Sequence, residues 1–258
     1  MDFGIGGRRA LVCGGSRGLG RGCAEALAAE GAVIVLNGRD PGRLAEAAAA
    51  LRAAGATVIE APGDVTDEAA RARVLAVAGE VDILVTNAAG PPPGTWDSAD
   101  LTAIRRAVEA NLVAPVALIQ AVLPGMMARG WGRVVNITST SVKAPIAELT
   151  LSNTARTGLT GWVAGTARAV ARAGVTVNNL LPGSHATDRI RALDAARAAA
   201  EGITEGEVAA RAALRIPAGR YGTAAEFGAA CAFLCSVQAA YITGQNLVID
   251  GGALNATI

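Results

Sequence analysis

Lysine and histidine are almost absent from this chain of 258 residues. Lys143 and His185 are the only ones, so 22 of the 23 basic residues are arginine. A proton transfer that needs a titratable nitrogen has only these two side chains to draw on. The formal net charge is +1, which gives no basic excess for nucleic acid or an anionic membrane surface. The four cysteines, at 13, 23, 231 and 235, lack metal-ligand spacing. They are expected as small core residues in a reducing compartment, with no metal bound. No apolar run reaches the roughly 18–20 residues that span a bilayer. The opening MDFGIGGRR has no apolar signal core. The expectation is a soluble, cytoplasmic protein with no nucleic-acid or membrane partner.

What is present is apolar and glycine-rich. The chain is 52% hydrophobic, which excludes disorder. Ala10-Leu11-Val12 reads as a buried strand. It breaks at Gly14-Gly15, passes Ser16, Arg17, Gly18, Leu19 and Gly20, and continues as a helical pattern. A strand, a glycine turn and a helix start form a phosphate site. The glycines let a pyrophosphate approach the backbone, and the helix start supplies free N–H groups and a positive dipole end.

Strand and helix patterns then alternate. Strands are expected at 32–36, 57–59, 81–85, 133–137, 175–181 and 246–249. Helices are expected at 41–54, 67–78, 100–129 (bent near Pro115), 152–173 and 223–236. The fold class is α/β: one doubly wound (Rossmann) domain over 1–258, with a seven-stranded parallel sheet. Its ligand should sit at the C-terminal strand ends. Residues 184–217 read as a helical insertion that shapes a pocket there.

The chain resembles the short-chain dehydrogenase/reductase family, closest to its 3-oxoacyl-carrier-protein reductases. Cys13-Gly14-Gly15-Ser16-Arg17-Gly18-Leu19-Gly20 is similar to the family's TGxxxGxG turn, with cysteine for threonine. Asp64-Val65 resembles the adenine-holding pair. Thr86-Asn87-Ala88-Ala89-Gly90 resembles NNAG, altered at two places. Asn111 and Ser139 fall on the active-site asparagine and serine. Pro182-Gly183 and Thr187 resemble the nicotinamide loop, and Asp250-Gly251-Gly252 the C-terminal signature. The resemblance implies a nicotinamide cofactor, a small carbonyl or alcohol substrate, and a homotetramer, with a dimer second. The glycines at 158, 161 and 165 suit close helix pairing between subunits; packing on the protein's own sheet is the alternative.

The expected cofactor is NADP rather than NAD. An acidic residue after the second strand would accept the ribose 2′-OH of NAD. Gly38 stands there instead, followed by Arg39, and with Arg17 it suits a 2′-phosphate. Asp40 would oppose this only by turning inward.

The departure from the family is in the acid. Its tyrosine and lysine, four apart, fall on Ser152 and Arg156. A serine hydroxyl is a far weaker acid than a phenol, and arginine cannot relay a proton. Arg156 can still hold the nicotinamide ribose. Lys143, four residues after Ser139, and His185, two after Gly183, are candidate proton donors. Water held by Ser139 and Ser152 is a third route. Two functions follow. One is an oxidoreductase on a carbonyl, of 3-oxoacyl type, or on a secondary alcohol. The other is an NADP-binding sensor or partner subunit with little turnover. Arg189, Arg191, Arg197, Arg211 and Arg215 in the insertion permit an anionic substrate.

Overall fold

The computed structural model describes residues 2–256. Seven parallel strands form one sheet in the order β3-β2-β1-β4-β5-β6-β7. They are β1 (Arg9–Val12), β2 (Val33–Gly38), β3 (Val58–Pro62), β4 (Ile83–Thr86), β5 (Gly132–Ile137), β6 (Val175–Pro182) and β7 (Asn246–Ile249). The order reverses between β1 and β4, and the glycine turn leaves β1 at that point. A crevice at this switch point follows from right-handed crossovers running in opposite directions.

Period-two alternation divides the strands between two cores. Ala10, Val12, Ile34 and Leu36 pack with α1 (Gly18–Ala29), α2 (Pro41–Ala53) and α9 (Ala224–Cys235). Leu11, Val35, Leu84 and Val134 face α3 (Glu68–Ala78), α5 (Ala114–Ala128) and α6 (Thr150–Val170). Sequence boundaries and structure agree within a few residues. All four cysteines are free and buried.

One expectation needs correcting. α4 (Leu101–Val108), a π-helical turn (Glu109–Val113) and α5 join into one helical run, Leu101–Ala128. An 18-residue stretch of it has a mean hydropathy of 1.6, so the run is long and apolar enough to cross a membrane by length and composition. Its apolar residues have a different partner. Leu118, Ile119, Leu123 and Met126 are buried against the sheet, as in a core helix. The bend near Pro115 takes the form of the π turn, where the Ala114 N–H donates to the carbonyl of Glu109. Pro115 has no N–H for the Asn111 carbonyl, so a regular turn cannot continue through this point.

The insertion forms α7 (Asp188–Glu201) and α8 (Glu205–Ala213). Its entry is tied to the loop before α9, where the Ala186 N–H donates to the Gly222 carbonyl at 2.8 Å and the Gly222 N–H to that of Ser184 at 3.0 Å. The Tyr221 hydroxyl donates to Asp194 on α7 at 3.0 Å, so this tyrosine braces the insertion.

α1 and α9 cross with almost no space between backbones. A Cβ on Gly228 would lie 2.2 Å from the Gly22 carbonyl oxygen, and one on Gly22 would lie 2.1 Å from that of Ala224. Gly228→Ala should therefore push the helices apart and cost about 1–3 kcal/mol in stability. Urea unfolding checks this; an unchanged midpoint would show that the crossing yields freely.

Candidate active site

The glycine turn is built by mutual exclusion of side chains. Gly14 and Gly18 both have φ of +58°. A Cβ on Gly20 would sit 2.4 Å from the Gly14 carbonyl oxygen and 2.8 Å from the Asn87 amide nitrogen. Asn87, beyond β4, donates weakly to that same carbonyl at 3.4 Å. Cys13 is buried beneath the turn, and burial pushes its thiol up to about 12, so it remains neutral. α2, α3, α4, α7, α8 and α9 each begin with a side chain capping their free N–H groups. α1 begins at Arg17 with no side-chain cap and no acidic residue in its first turn. Its N–H groups and positive dipole end remain available to an anion.

A cavity of about 410 Å³ opens beside this turn, lined by Ser16, Arg17, Arg21, Arg43, Glu46, Ala47 and Asp188. It carries three guanidinium groups against two carboxylates. Arg17 and Arg43 both reach it. Arg39 lies 3.7 Å from Asp64 and does not line the cavity. Asp40 does not turn inward toward a ribose; its carboxylate caps α2 by accepting from the Arg43 N–H at 3.1 Å. That cap sets the first turn of α2, the turn that carries Arg43.

Asp64 follows β3. Burial alone would raise its pKa, but bonds from the Thr66 N–H and hydroxyl, together with Arg39, hold the carboxyl below its usual range. It is an ionised acceptor beside Val65, which packs partly into the core. Ala88 lies in the same stretch after β4 as Asn87.

At the other end of the crevice, β5 runs out at Ile137. The buried Arg156 reaches from α6 and donates through Nη1 to the carbonyls of Ile137 at 2.7 Å and Thr138 at 2.8 Å. Burial first, and the charge of Arg189 second, push this guanidinium down to about 10. Ser139 follows directly, with its Oγ accepting from the Ser141 N–H at 3.1 Å. Ser152 is buried in the first turn of α6 and makes no hydrogen bond to protein through its side chain among the described residues. Asn111 sits in the π turn, which packs against α6 through Leu112 and Gly158. Its Nδ2 donates to the Ala107 carbonyl at 3.3 Å, and its buried Oδ1 has no protein partner.

Pro182 ends β6, and Gly183 follows against the C-terminal loop, where a Cβ would lie 2.6 Å from that of Asp250. Thr187 caps α7, and its methyl group lies 3.7 Å from where a Cβ on Gly18 would be. This loop therefore faces the glycine turn.

The two basic candidates for proton transfer lie elsewhere. The His185 ring is turned into the core, edge-on to Phe227 at 5.3 Å, with Nδ1 3.2 Å from the Gly183 carbonyl. Burial lowers its pKa, and its Nε2 is buried without a partner. Alternating direction after β6 gives this side chain to the α9 side of the sheet. Lys143 is exposed beyond a short 3₁₀ turn, with no ion pair among the described residues.

The geometry is matched by the comparisons. The family described as Enoyl-(Acyl carrier protein) reductase matches residues 14–254. D-beta-hydroxybutyrate dehydrogenase of Cupriavidus necator is 32% identical over 261 residues, covering 96% of this chain and 98% of that protein. The 3-oxoacyl-(acyl-carrier-protein) reductase FabG of Escherichia coli is 36% identical over 250 residues, covering 95% and 97%. L-sorbose reductase from Gluconobacter frateurii, solved with NADPH and L-sorbose, superposes with a TM-score of 0.95 at 30% identity, over 99% of this chain and 100% of that one. A glycine turn at the sheet's switch point, an open helix start and full-length similarity to dehydrogenases and reductases place this chain in the short-chain dehydrogenase/reductase family of NAD(P)-dependent oxidoreductases.

Proposed function

We propose that the protein is an NADP-dependent oxidoreductase that interconverts a small carbonyl compound and its secondary alcohol without a tyrosine acid. The observation that carries the cofactor choice is the arginine-lined cavity beside the glycine turn. The residues fit a dinucleotide. The turn around Gly14 and Gly20 has no room for side chains, and the start of α1 is free of protein caps. Arg17, Arg43 and Ser16 would hold the 2′-phosphate; Asp64 and Val65 would border the adenine. Asn87, Ala88, Pro182, Gly183 and Thr187 would frame the nicotinamide end. When bound, the cofactor supplies or accepts a hydride.

The chain's own residues must then place the carbonyl and move a proton. Ser139 offers its hydroxyl at the end of β5, and Ser152 offers another from α6. We assign the proton path to water held by these two hydroxyls, with Asn111 supporting the water. Arg156 stands on the β5 carbonyls through one nitrogen, leaving its other N–H groups to steady negative charge on oxygen or a ribose hydroxyl. Arginine keeps its charge and donates no proton here. This division makes the proton step slow: loss of a positioned general acid costs about 10²–10⁴ in rate.

A homotetramer is the proposed assembly. It is supported by α6, where Gly158 meets the chain's own Leu112 but Gly161 and Gly165 face open space. Light scattering on the eluted protein should give four chains; a monomer would rule out this use of the helix.

Calorimetry at one salt concentration should show NADPH binding more tightly than NADH. Arg43→Ala should weaken NADPH by about 10–100-fold, the loss of a charge-assisted contact, and leave NADH nearly unchanged. Equal affinities in the parent protein would refute the phosphate assignment.

Restoring the family pair, Ser152→Tyr with Arg156→Lys, should raise turnover on simple ketones by about 10-fold or more, because a phenol beside a lysine is a far better acid than a hydroxyl. Stopped-flow loss of NADPH absorbance reads the step. An unchanged rate would mean that proton transfer does not limit this enzyme.

A further inference from the structure

The chain's single histidine is 2% exposed, on the short segment between β6 and α7. Its ring stands edge-on to Phe227 of α9 at 5.3 Å. Nδ1 lies 3.2 Å from the Gly183 carbonyl, and Nε2 is buried with no partner among the described residues. These contacts fit one tautomer of the neutral ring: a proton on Nδ1 donates to Gly183, and Nε2 keeps its lone pair. A second proton would bury a charge and an N–H without an acceptor. Burial lowers the pKa of the ring, against the opposing bond to Gly183 and the charges of Glu226 on α9 and Asp250 after β7. Both carboxylates are engaged elsewhere. Glu226 pairs with Arg220 at 2.5 Å and completes the cap of α9, and Asp250 accepts from the Gly252 N–H at 2.9 Å and the Leu254 N–H at 2.7 Å.

The ring lies inside a knot of backbone. Gly222 is pressed against it: a Cβ there would sit 2.7 Å from Cδ2 and 2.8 Å from Nε2. The same glycine pairs with both neighbours of His185, accepting from the Ala186 N–H and donating to the Ser184 carbonyl. On the other side the Gly183 N–H donates to the Ile249 carbonyl at 2.9 Å. Ser184 is half-buried and Ala186 is exposed, so the imidazole is this segment's anchor in the core. Two residues further on, Thr187 caps α7 and turns its methyl group toward Gly18 of the glycine turn. The ring thus sits between the two residues, Gly183 and Thr187, that carry the loop's side of the crevice.

We propose that His185 is a positioning residue whose neutral ring pins residues 183–187 in the form that receives the cofactor, and that a proton on Nε2 releases them. This rests on the reading in which Pro182, Gly183 and Thr187 frame the nicotinamide end. The ring touches no reacting atom and takes no part in the proton path. The neutral ring belongs to the pinned form and the charged ring to the released one. The pinned form is therefore fully favoured above the free imidazole value of about 6.5 and is lost as pH falls through the lowered pKa of the buried ring. Cofactor affinity falls with it. Reciprocally, a bound cofactor selects the pinned form and makes the ring harder to protonate.

Nuclear magnetic resonance of the tag-free chain, labelled with ¹⁵N in histidine, tests this directly, because a single imidazole gives a single pair of ring-nitrogen signals. The signals should show the Nδ1–H tautomer at about pH 7.5 and a titration midpoint below the free value, and NADPH should move that midpoint further down. A midpoint at the free value, or one that NADPH leaves in place, overturns the proposal. Calorimetry reads the same coupling as affinity. The 2′-phosphate takes up its own proton at about pH 6, so a variant that does not titrate serves as the reference. In His185→Asn the carboxamide replaces Nδ1 as donor. Between about pH 7.5 and 5.5, NADPH binding should weaken about 3–10-fold more in the parent than in His185→Asn, the worth of one hydrogen bond. His185→Leu, with no donor, should bind NADPH about 3–10-fold more weakly than His185→Asn at about pH 7.5. Equal pH profiles in the parent and His185→Asn, or equal affinities in the two variants, overturn the proposal. If NADPH does not bind at all, the cofactor reading fails, and the backbone amide signals of Ala186 and Gly222 decide the pin. Their titration together with the ring sustains it; signals that ignore the ring's titration overturn it.

Discussion

The contact on which the site depends is the one between Arg156 and the last carbonyls of β5. A buried guanidinium without a carboxylate is expensive to desolvate, so it must be held by strong acceptors. Ile137 and Thr138 supply two, at the point where the strand ends and its carbonyls have no further ladder to join. This anchors α6 to the strand and fixes Ser152 relative to Ser139. It also holds a guanidinium that stays charged until pH approaches about 10, at the place where we propose the reacting oxygen develops negative charge. In the function we propose, the chemistry is thus electrostatic, with hydroxyls and water left to carry the proton.

Much of the fold was legible because its local signals agree. Period-two runs, glycine at the turns and helical spacing of Leu and Ala all point to the same alternation, and the sheet follows. The glycine turn was legible for a physical reason: no other residue fits between Gly14, Gly20 and Asn87. Motif order placed Asn111, Ser139, Ser152 and Arg156 on elements that meet in the structure.

What escaped the sequence was direction. Arg39 and Arg43 lie four apart; Arg43 lines the cavity, and Arg39 lies 3.7 Å from Asp64, a difference that spacing alone does not give. His185 follows a motif, but its side chain falls on the core side, against Phe227. Lys143 gained interest from its rarity, and rarity says nothing about burial. The helix from Leu101 to Ala128 was expected as one run, but Asn111, Pro115, Gln120 and Pro124 interrupt its apolar half, so no unbroken apolar stretch stands out.

The central claim is that no side chain titrating near neutrality delivers the proton. The pH dependence of single-turnover NADPH oxidation tests it most directly. Ser139 and Ser152 do not ionise in this range, His185 is buried away from the site, and Arg156 keeps its charge until pH approaches about 10. The rate should therefore be flat from about pH 6.5 to 9 and fall only above that, as the charge on Arg156 is lost. A clear ionisation between those limits that disappears in Lys143→Met or His185→Leu would contradict the account and identify the proton donor it has excluded.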